Sequence, residues 1–283
     1  MSDPVSSRYD LHAHSTASDG RLDPGDLVRR AACNRVEYLA LTDHDTVGGI
    51  RAARDAARRS GIRLVAGVEI SVTWNKKCFH ILGLGIDPAN ETLLSGLAGL
   101  QRIRRERARQ ISDKLEKHGI HGALTAARKM AGAGMITRTH FARFLVAEGH
   151  ATSVSEVFDR YLVRGKPGHV ATRWAGLEEA LSWIRAAGGL AVLAHPLRYR
   201  LTASWLRRFL TAFQSAGGTG IEIVCGNSTP QQIATCADYA RRYRLSGSVG
   251  SDFHDPDFPW IDLGRLPPLP AGVTPVWEHL ETS

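Results

Sequence analysis

Residues 9–20 read Tyr-Asp-Leu-His-Ala-His-Ser-Thr-Ala-Ser-Asp-Gly, and this stretch decides how the rest of the chain is read. Asp10, His12 and His14 recur at every second position. In a strand such residues share one face. Three side chains of metal-ligating type on one face do not make a core pattern. They fit either a hydrated strand end or a bound metal ion. Asp19 and Gly20 follow in a turn-rich segment, so a further carboxylate can fold back over the strand end. One His-x-His pair alone is explained equally well as a polar strand terminus. The segments that follow shift the balance toward a metal site.

Working outward, short apolar runs of buried-strand type keep ending in the same residue types. The run 38–41 ends in Thr42-Asp43-His44-Asp45, and 64–68 delivers Glu69. The run 79–84 carries His80 near its start, and 190–194 ends at His195-Pro196. A strand is expected at 220–224, and one at 246–250 leads to Ser251-Asp252-Phe253-His254. Helical patterns alternate with these runs. One begins at Pro24, and others cover 47–60 (stopped by Gly61), 177–187, 202–215 and 229–243, with a last turn near 275–281. With the first strand at 8–12, seven strands alternate with helices, which defines an α/β fold. In a barrel the strand C-terminal ends share one face, so a distorted seven-stranded barrel gathers the polar clusters best. His80 is the exception, since it sits early in its strand; that strand is expected to run the other way or to bend.

Between about 90 and 175 the alternation stops and no convincing strand is found. Helices are expected at 90–118 (capped by Asn90, closed by Gly119), 121–131, 137–148 and 153–162. The expected organisation is therefore a first barrel part at 1–97, an all-helical insertion domain at 98–175, and a second barrel part at 176–283.

Composition narrows the function classes. The chain of 283 residues carries a net charge of +8, which suits an acidic partner such as phosphate or nucleic acid. Cys33, Cys78, Cys225 and Cys236 form no Cys-x-x-Cys pair, which argues against a zinc ribbon or a disulfide scaffold. There is no signal-like N-terminal run and no apolar stretch of the roughly 18 residues a membrane span requires. A cytoplasmic protein with no membrane association is expected, and no protein partner can be identified.

The candidate ligands are His12, His14, Asp19, His44, Glu69, His80, His195, Asp252 and His254. These exceed the needs of one ion and suffice for two or three sharing bridging carboxylates. Imidazole and carboxylate without thiolate suit manganese, zinc or iron. Asp43 and Asp45 flank His44 and are expected to orient neighbours or cap a helix rather than to ligate.

These motifs resemble the polymerase and histidinol phosphatase (PHP) superfamily of metallohydrolases. The resemblance is carried by Asp10-Leu11-His12-Ala13-His14-Ser15 with Ser18-Asp19-Gly20, by Leu41-Thr42-Asp43-His44-Asp45, and by Gly67-Val68-Glu69. His80, Ala194-His195-Pro196 and Ser251-Asp252-Phe253-His254 complete it. Within the superfamily the chain is most similar to nucleoside 3′,5′-bisphosphate phosphatases and the related 5′→3′ exoribonucleases of the RNase AM group. That narrower likeness rests on residues 41–46, 67–72 and 80–84 and on the helical insert. The resemblance implies a distorted (β/α)7 PHP barrel with an all-helical insertion, and three divalent ions, often manganese. His12, His14, Glu69 and Asp252 would hold one ion, Glu69, His80 and His195 a second, and Asp19, His44 and His254 a third. A metal-bridging hydroxide held by Glu69, His80 and His195 would attack phosphorus.

The insert adds positive charge. Leu93, Leu97, Leu100, Ile111 and Leu115 define the apolar stripe of its long helix. Arg102, Arg105 and Arg109 lie opposite and fit a solvated face, whereas Arg104 and Arg107 fall within the stripe. Inward arginines need a carboxylate or another anion. A substrate phosphate serves if the insert covers the barrel mouth; internal salt bridges serve otherwise. Thr137-Arg138-Thr139-His140 opens a helix whose N-terminal amides, with Arg138 and His140, can hold an anion, and it resembles the family's substrate-contacting Arg-x-His element. Lys166 and His169 sit in a turn that either presents two more donors or is plain surface. The expected reaction is hydrolysis of the 3′-phosphate of a nucleoside 3′,5′-bisphosphate, with short 5′-phosphorylated single-stranded RNA as a second substrate. The competing readings are a non-catalytic, metal-stabilised nucleic-acid or polymerase-binding module, and a histidinol-phosphate-type phosphatase.

Overall fold

The computed structural model describes residues 7–258 and 260–280. Seven strands form the barrel: β1 (Tyr9–Asp10), β2 (Tyr38–Leu41), β3 (Arg63–Trp74), β4 (Lys77–Leu84), β6 (Leu190–Leu193), β7 (Gly220–Cys225) and β8 (Ser246–Gly250). They are hydrogen-bonded in that order. The ends meet where Leu11 N–H donates to Val249 (2.9 Å) and Asp252 N–H donates to His12 (2.8 Å), beside a parallel bridge between Ala13 and Phe253. Helices α1 (Pro24–Cys33), α2 (Ile50–Ser60), α7 (Leu177–Ala186), α8 (Ala203–Ser215) and α9 (Pro230–Tyr243) lie outside. Their starts and stops follow local chemistry. The Asp23 carboxylate caps α1 with Pro24 in its first turn, Gly61 at φ 69° ends α2, and Thr229 caps α9.

Of the two alternatives for the strand bearing His80, reversed or bent, the structure shows the reversed one. β4 pairs antiparallel with both β3 and β6. Asn75 and Lys76, both at positive φ, form the two-residue turn of the β3–β4 hairpin. The start of β4 therefore lies at the C-terminal end of its neighbours, with His80 directly opposite Ser71. One strand lies where none was expected. Ala175–Gly176 (β5) pairs in parallel with the extended end of β3. At two residues it is too short to leave a periodic signature. The last turn, expected near 275–281, is Val276–His279; residue 281 lies outside the described residues.

Side-chain alternation sorts the barrel into layers. Leu11, Ala40, Leu82, Leu84, Val192, Ala194 and Val276 form a small apolar plug. On β4, His80 shares a face with Leu82 and Leu84, so the plug gives way to polar groups toward the strand ends. The alternate residues Phe79 and Ile81 pack outward into the main core with the helices.

The insert contains α3 (Glu91–Glu116), α4 (Ala123–Ala131), α5 (Arg138–Ala147), the short α6 (Val154–Val157) and a π-helical turn at Phe158–Leu162. The long α3 belongs to two cores. Leu93, Leu97 and Leu100 pack on the barrel, while Ala108, Ile111 and Leu115 pack within the insert. Burial of each such leucine is worth roughly 1.5–3 kcal/mol, so α3 is clamped at both ends. Its middle, where Arg104 and Arg107 stand, is left to bridge the barrel mouth.

Candidate active site

On one face of the barrel every strand but β7 delivers a candidate ligand. His12 and His14 follow β1, His44 follows β2, and Glu69 lies within β3 at the level where β2 ends. His80 comes from the reversed β4, His195 follows β6, and Asp252 and His254 follow β8. Gly20 makes the return of Asp19 possible. A Cβ there would stand 2.2 Å from the His14 carbonyl oxygen, so only glycine lets the turn close. Asp19 is then held by Thr137 Oγ1 (3.0 Å) and Thr139 Oγ1 (2.9 Å), which donate to its Oδ2 from the start of α5.

Glu69, fully buried, is the hub. Its Oε1 lies 2.8 Å from His80 Nδ1 and 3.0 Å from His195 Nε2. Its Oε2 lies 2.8 Å from His44 Nδ1 and 3.2 Å from His14 Nε2. Asp252 Oδ1 stands 3.3 Å from His12 Nε2 and 3.2 Å from His14 Nε2. Asp19 Oδ1 is 3.4 Å from His254 Nε2 and 3.9 Å from His44 Nε2. All nine expected positions thus converge. His44 stands between two groups, one with His14, Asp19 and His254 and one with Glu69 and His80. Asp10 does not join them. Its carboxylate accepts the backbone N–H of Ser251 and Gly264 and braces the closure of the barrel.

The donor set fits divalent cations. His14 Nδ1, Asp19 Oδ1, His44 Nδ1, Glu69 Oε2, His80 Nδ1 and His195 Nδ1 are buried without a hydrogen-bond partner. Orphaned buried polar atoms are costly, and several converging at one place mark a site for an ion. Charge says the same. Burial pushes Glu69 up, but His44, His80 and His12 hold its carboxyl well below the usual range. Burial opposes charge on His14 and His80, yet neighbouring carboxylates hold them at about 9 and about 10. Burial drives His44 down to about 4 despite Glu69 and Asp19. Positive charge is thus demanded at the carboxylates. Two of the residues involved, His195 at φ 31° and Asp252 at φ 54°, adopt left-handed backbone that side chains disfavour.

Glu222 and Arg198 were missed by sequence reasoning. Glu222 Oε1 accepts from His12 Nδ1 (2.9 Å), and its Oε2 accepts the His195 N–H (2.6 Å), so one buried carboxylate orients two candidate ligands. The signal was present: a lone glutamate inside the apolar run Gly220–Cys225. Arg198 donates to Asp252 Oδ2 from the turn after His195. Asp43 accepts from the Ser15 and Ser18 hydroxyls, in keeping with an orienting role.

Beside the cluster lies a cavity of about 490 Å³ under the middle of α3, with Asp19, His44 and His80 in its wall. Arg104 and Arg107 enter it from α3 and Arg138 from α5. The two inward arginines have different partners. Arg104 donates to Asp45 Oδ2 (2.6 Å) and Ser71 Oγ (2.9 Å), so its partner is an internal carboxylate and not a free phosphate. Asp45 accordingly caps no helix; it ties α3 to β3 through Arg104 and the Ser71 N–H. Arg107 has no such partner, and its Nε is buried and unpaired. Burial, with Arg138 and Arg104 nearby, lowers its guanidinium to about 9. The Arg104 and Arg107 guanidinium groups both face the Trp174 ring, at 5.1 and 5.3 Å from its centroid.

His140 and Lys166 do not line this cavity. His140 is buried in its own helix start, where Nδ1 accepts the Thr137 N–H (3.0 Å) in a capping box. Lys166 is exposed on the surface turn, and Arg164 and His169 of the same loop reach the cavity in its place. Helical and turn spacing alone does not reveal which loop side chains turn inward.

With a histidine and carboxylate cluster at the strand ends of a mixed barrel, the chain belongs to the PHP domain family: residues 10–172 match its model. The chain is 47% identical over 275 residues to the 5′-3′ exoribonuclease Rnm of Escherichia coli (strain K12), covering 96% of this chain and 94% of that protein. It is 45% identical over 273 residues to the 3′,5′-nucleoside bisphosphate phosphatase of Chromobacterium violaceum, covering 96% of each. A solved structure of an amidohydrolase from Chromobacterium violaceum, with bound sulfate and no metal, superposes with a TM-score of 0.93 at 45% identity. That superposition covers 96% of this chain and 95% of the other.

Proposed function

We propose that the chain removes the 3′-phosphate from nucleoside 3′,5′-bisphosphates, such as adenosine 3′,5′-bisphosphate, and trims short 5′-phosphorylated single-stranded RNA from its 5′ end by the same chemistry. Its class, phosphoric ester hydrolase, rests on the family and on two relatives whose names both denote cleavage of phosphate esters. One observation carries the substrate reading. The cavity that holds the unpartnered Arg107 shares Asp19, His44 and His80 with the ligand cluster. A single small molecule can therefore present one phosphoryl group to the cluster and a second to the arginines.

In this reading His12, His14, Glu69 and Asp252 hold one divalent ion, Glu69, His80 and His195 a second, and Asp19, His44 and His254 a third. The nitrogen and oxygen donors suit manganese, with zinc or iron as alternatives. Bound there, the ions supply neutralisation of phosphoryl oxygens and activation of an attacking water. The chain's own residues do the rest. Glu222 and Arg198 fix the ligands they touch. Arg107 and Arg138 receive the 5′-phosphate, so binding energy remote from the reacting centre aligns the 3′-phosphate. Thr137 and Thr139 hold Asp19, tying the insert side of the anion cavity to the cluster. Residues 98–175 act as the roof that makes the cavity. The four cysteines are all free, which fits a reducing cytoplasm.

A histidinol-phosphate-type substrate has one phosphate and leaves Arg107 without an anion. A purely binding module leaves the gathered ligand set unexplained. The test is phosphate release from adenosine 3′,5′-bisphosphate by manganese-loaded protein beside its Glu69→Ala variant. Release that chelation and the substitution both abolish is expected. No release from folded, metal-replete protein rejects the proposal.

A further inference from the structure

We infer that Phe258 and Trp260 form a stacking platform for the bases of single-stranded RNA on the 3′ side of the bond being cut. The inference rests on the phosphoesterase reading above and extends it to the path of the chain beyond the reacting phosphate.

Direction comes first. If the 5′-phosphate lies against Arg107 and Arg138, the RNA beyond the scissile phosphate leaves the cluster away from that cavity. The cavity wall is built from β3, β4, the insert, Asp19 and His44; Asp252, His195 and Arg198 are not part of it. The exit therefore runs over the turns that follow β6, β7 and β8.

Phe258 and Trp260 belong to the segment that follows β8. They are 39% and 65% exposed, the two aromatic side chains among the exposed large hydrophobic residues described. Their ring centroids are 5.6 Å apart at 38°, so they present one joint apolar surface. Aromatic rings are normally buried for their large apolar area, and a paired exposed set calls for a partner. The turn that carries them is anchored to the cluster. Phe258 follows His254 by four residues, about 14 Å at full extension. The Phe258 N–H donates to Asp255 (3.3 Å), and Ile261 N–H donates to Phe258 (3.2 Å). Ile261 and Arg198 both border Gly226, at 3.6 and 3.1 Å from where its Cβ would stand, and Arg198 also holds Asp252. Arg21 pairs with Asp255 and Asp257, and Arg143 stands 3.8 Å from Asp255, so two cations face the two acids.

The chemistry selects the occupant. Every base has a π face, so stacking is sequence-tolerant, as trimming of unspecified RNA requires. Arg198, with a side chain 44% exposed, pairs with Asp252 and borders Gly226 beside Ile261, so it offers a cation to a downstream phosphate on this side of the cluster. A nucleoside bisphosphate ends at the reacting phosphate and does not reach the platform. The platform is therefore a device for polymer, separable from the small-substrate reaction.

The test uses metal-loaded protein and a 5′-phosphorylated pentaribonucleotide with phosphorothioate linkages and a 3′ fluorophore. Its Kd by anisotropy is compared for wild type, Trp260→Ala, Phe258→Ala and Trp260→Phe. Loss of one exposed stacking ring is expected to weaken binding roughly five- to tenfold, and Trp260→Phe to recover most of it. Turnover of adenosine 3′,5′-bisphosphate by Trp260→Ala is measured alongside and is expected to stay at the wild-type level. Unchanged Kd in both alanine variants, or no binding of the oligonucleotide by wild type, overturns the platform. Equal losses on the oligonucleotide and the bisphosphate also overturn it, since they indicate general damage. Absent bisphosphate turnover in wild type, with a ring-dependent Kd, leaves the platform standing and removes the phosphatase reading.

Discussion

Replacing Arg107 by alanine should make the protein more stable and a worse enzyme at once. In the free protein this guanidinium is buried, its Nε lacks a partner, and Arg104 and Arg138 repel it. The sign follows from linkage. A cation whose folded pKa is depressed, here from 12.5 to about 9, destabilises the fold at every pH below the folded value. At about 1.4 kcal/mol per unit the ceiling is about 5 kcal/mol, and screening by water in the open cavity brings the expected gain to about 1–2 kcal/mol. Bound substrate reverses the balance, since a phosphate gives the same guanidinium its missing partner. A charge-assisted hydrogen bond of this kind is worth roughly 1.5–3 kcal/mol, which predicts a loss of roughly 10- to 150-fold in kcat/KM for adenosine 3′,5′-bisphosphate. p-Nitrophenyl phosphate has no second phosphate and should lose at most about threefold. The assays are urea unfolding at pH 7.5 and steady-state kinetics on the two substrates. Equal kinetic losses on both substrates, or a destabilised variant, would refute the reasoning.

Two further perturbations probe residues that act through others. Glu222→Gln keeps the shape beside His12 and His195 but weakens the orienting hydrogen bonds; metal affinity by titration should fall about 10- to 100-fold. A wild-type metal affinity in this variant would remove Glu222 from the account. His140 is held near 4, chiefly by burial, and its Nδ1 accepts the Thr137 N–H only while neutral. Its folded pKa lies below the unfolded value of 6.5, so the unfolded chain binds the proton first and stability falls as pH drops from 6.5 toward 4. That contribution is about 3 kcal/mol across the window. His140→Gln keeps a capping side chain without the titration, and its Tm difference between pH 7.5 and 5 should be smaller than that of wild type. Identical pH dependence in the two proteins would show that His140 is not the titrating group.

What the sequence reveals and what it hides divide along a physical line. Strand ends are legible because apolar runs stop abruptly at polar ligand types, as at Leu41-Thr42 and Ala194-His195. The early position of His80 signals a strand that is either reversed or bent, and pairing with β3 and β6 decides for reversal. The inward lean of Arg104 and Arg107 is legible from helical spacing. Their partners are not. Asp45 claims Arg104 across 59 residues and Glu222 claims His12 across 210, and only closure of the barrel brings such pairs together. The place of His140 is hidden for a local reason: a helix-opening histidine can cap its own turn, as here, as readily as it can face a ligand. β5 was invisible because its pairing comes from the extended end of β3 and not from its own two residues.

The central claim is that one substrate spans the ligand cluster and the arginine cavity, with the 3′-phosphate at the cluster. The most direct measurement is which phosphate leaves. Manganese-loaded protein is incubated with adenosine 3′,5′-bisphosphate, and the nucleotide product is identified by chromatography against both monophosphates. The account predicts adenosine 5′-monophosphate and inorganic phosphate. Adenosine 3′-monophosphate as product would place the 5′-phosphate at the cluster and contradict it.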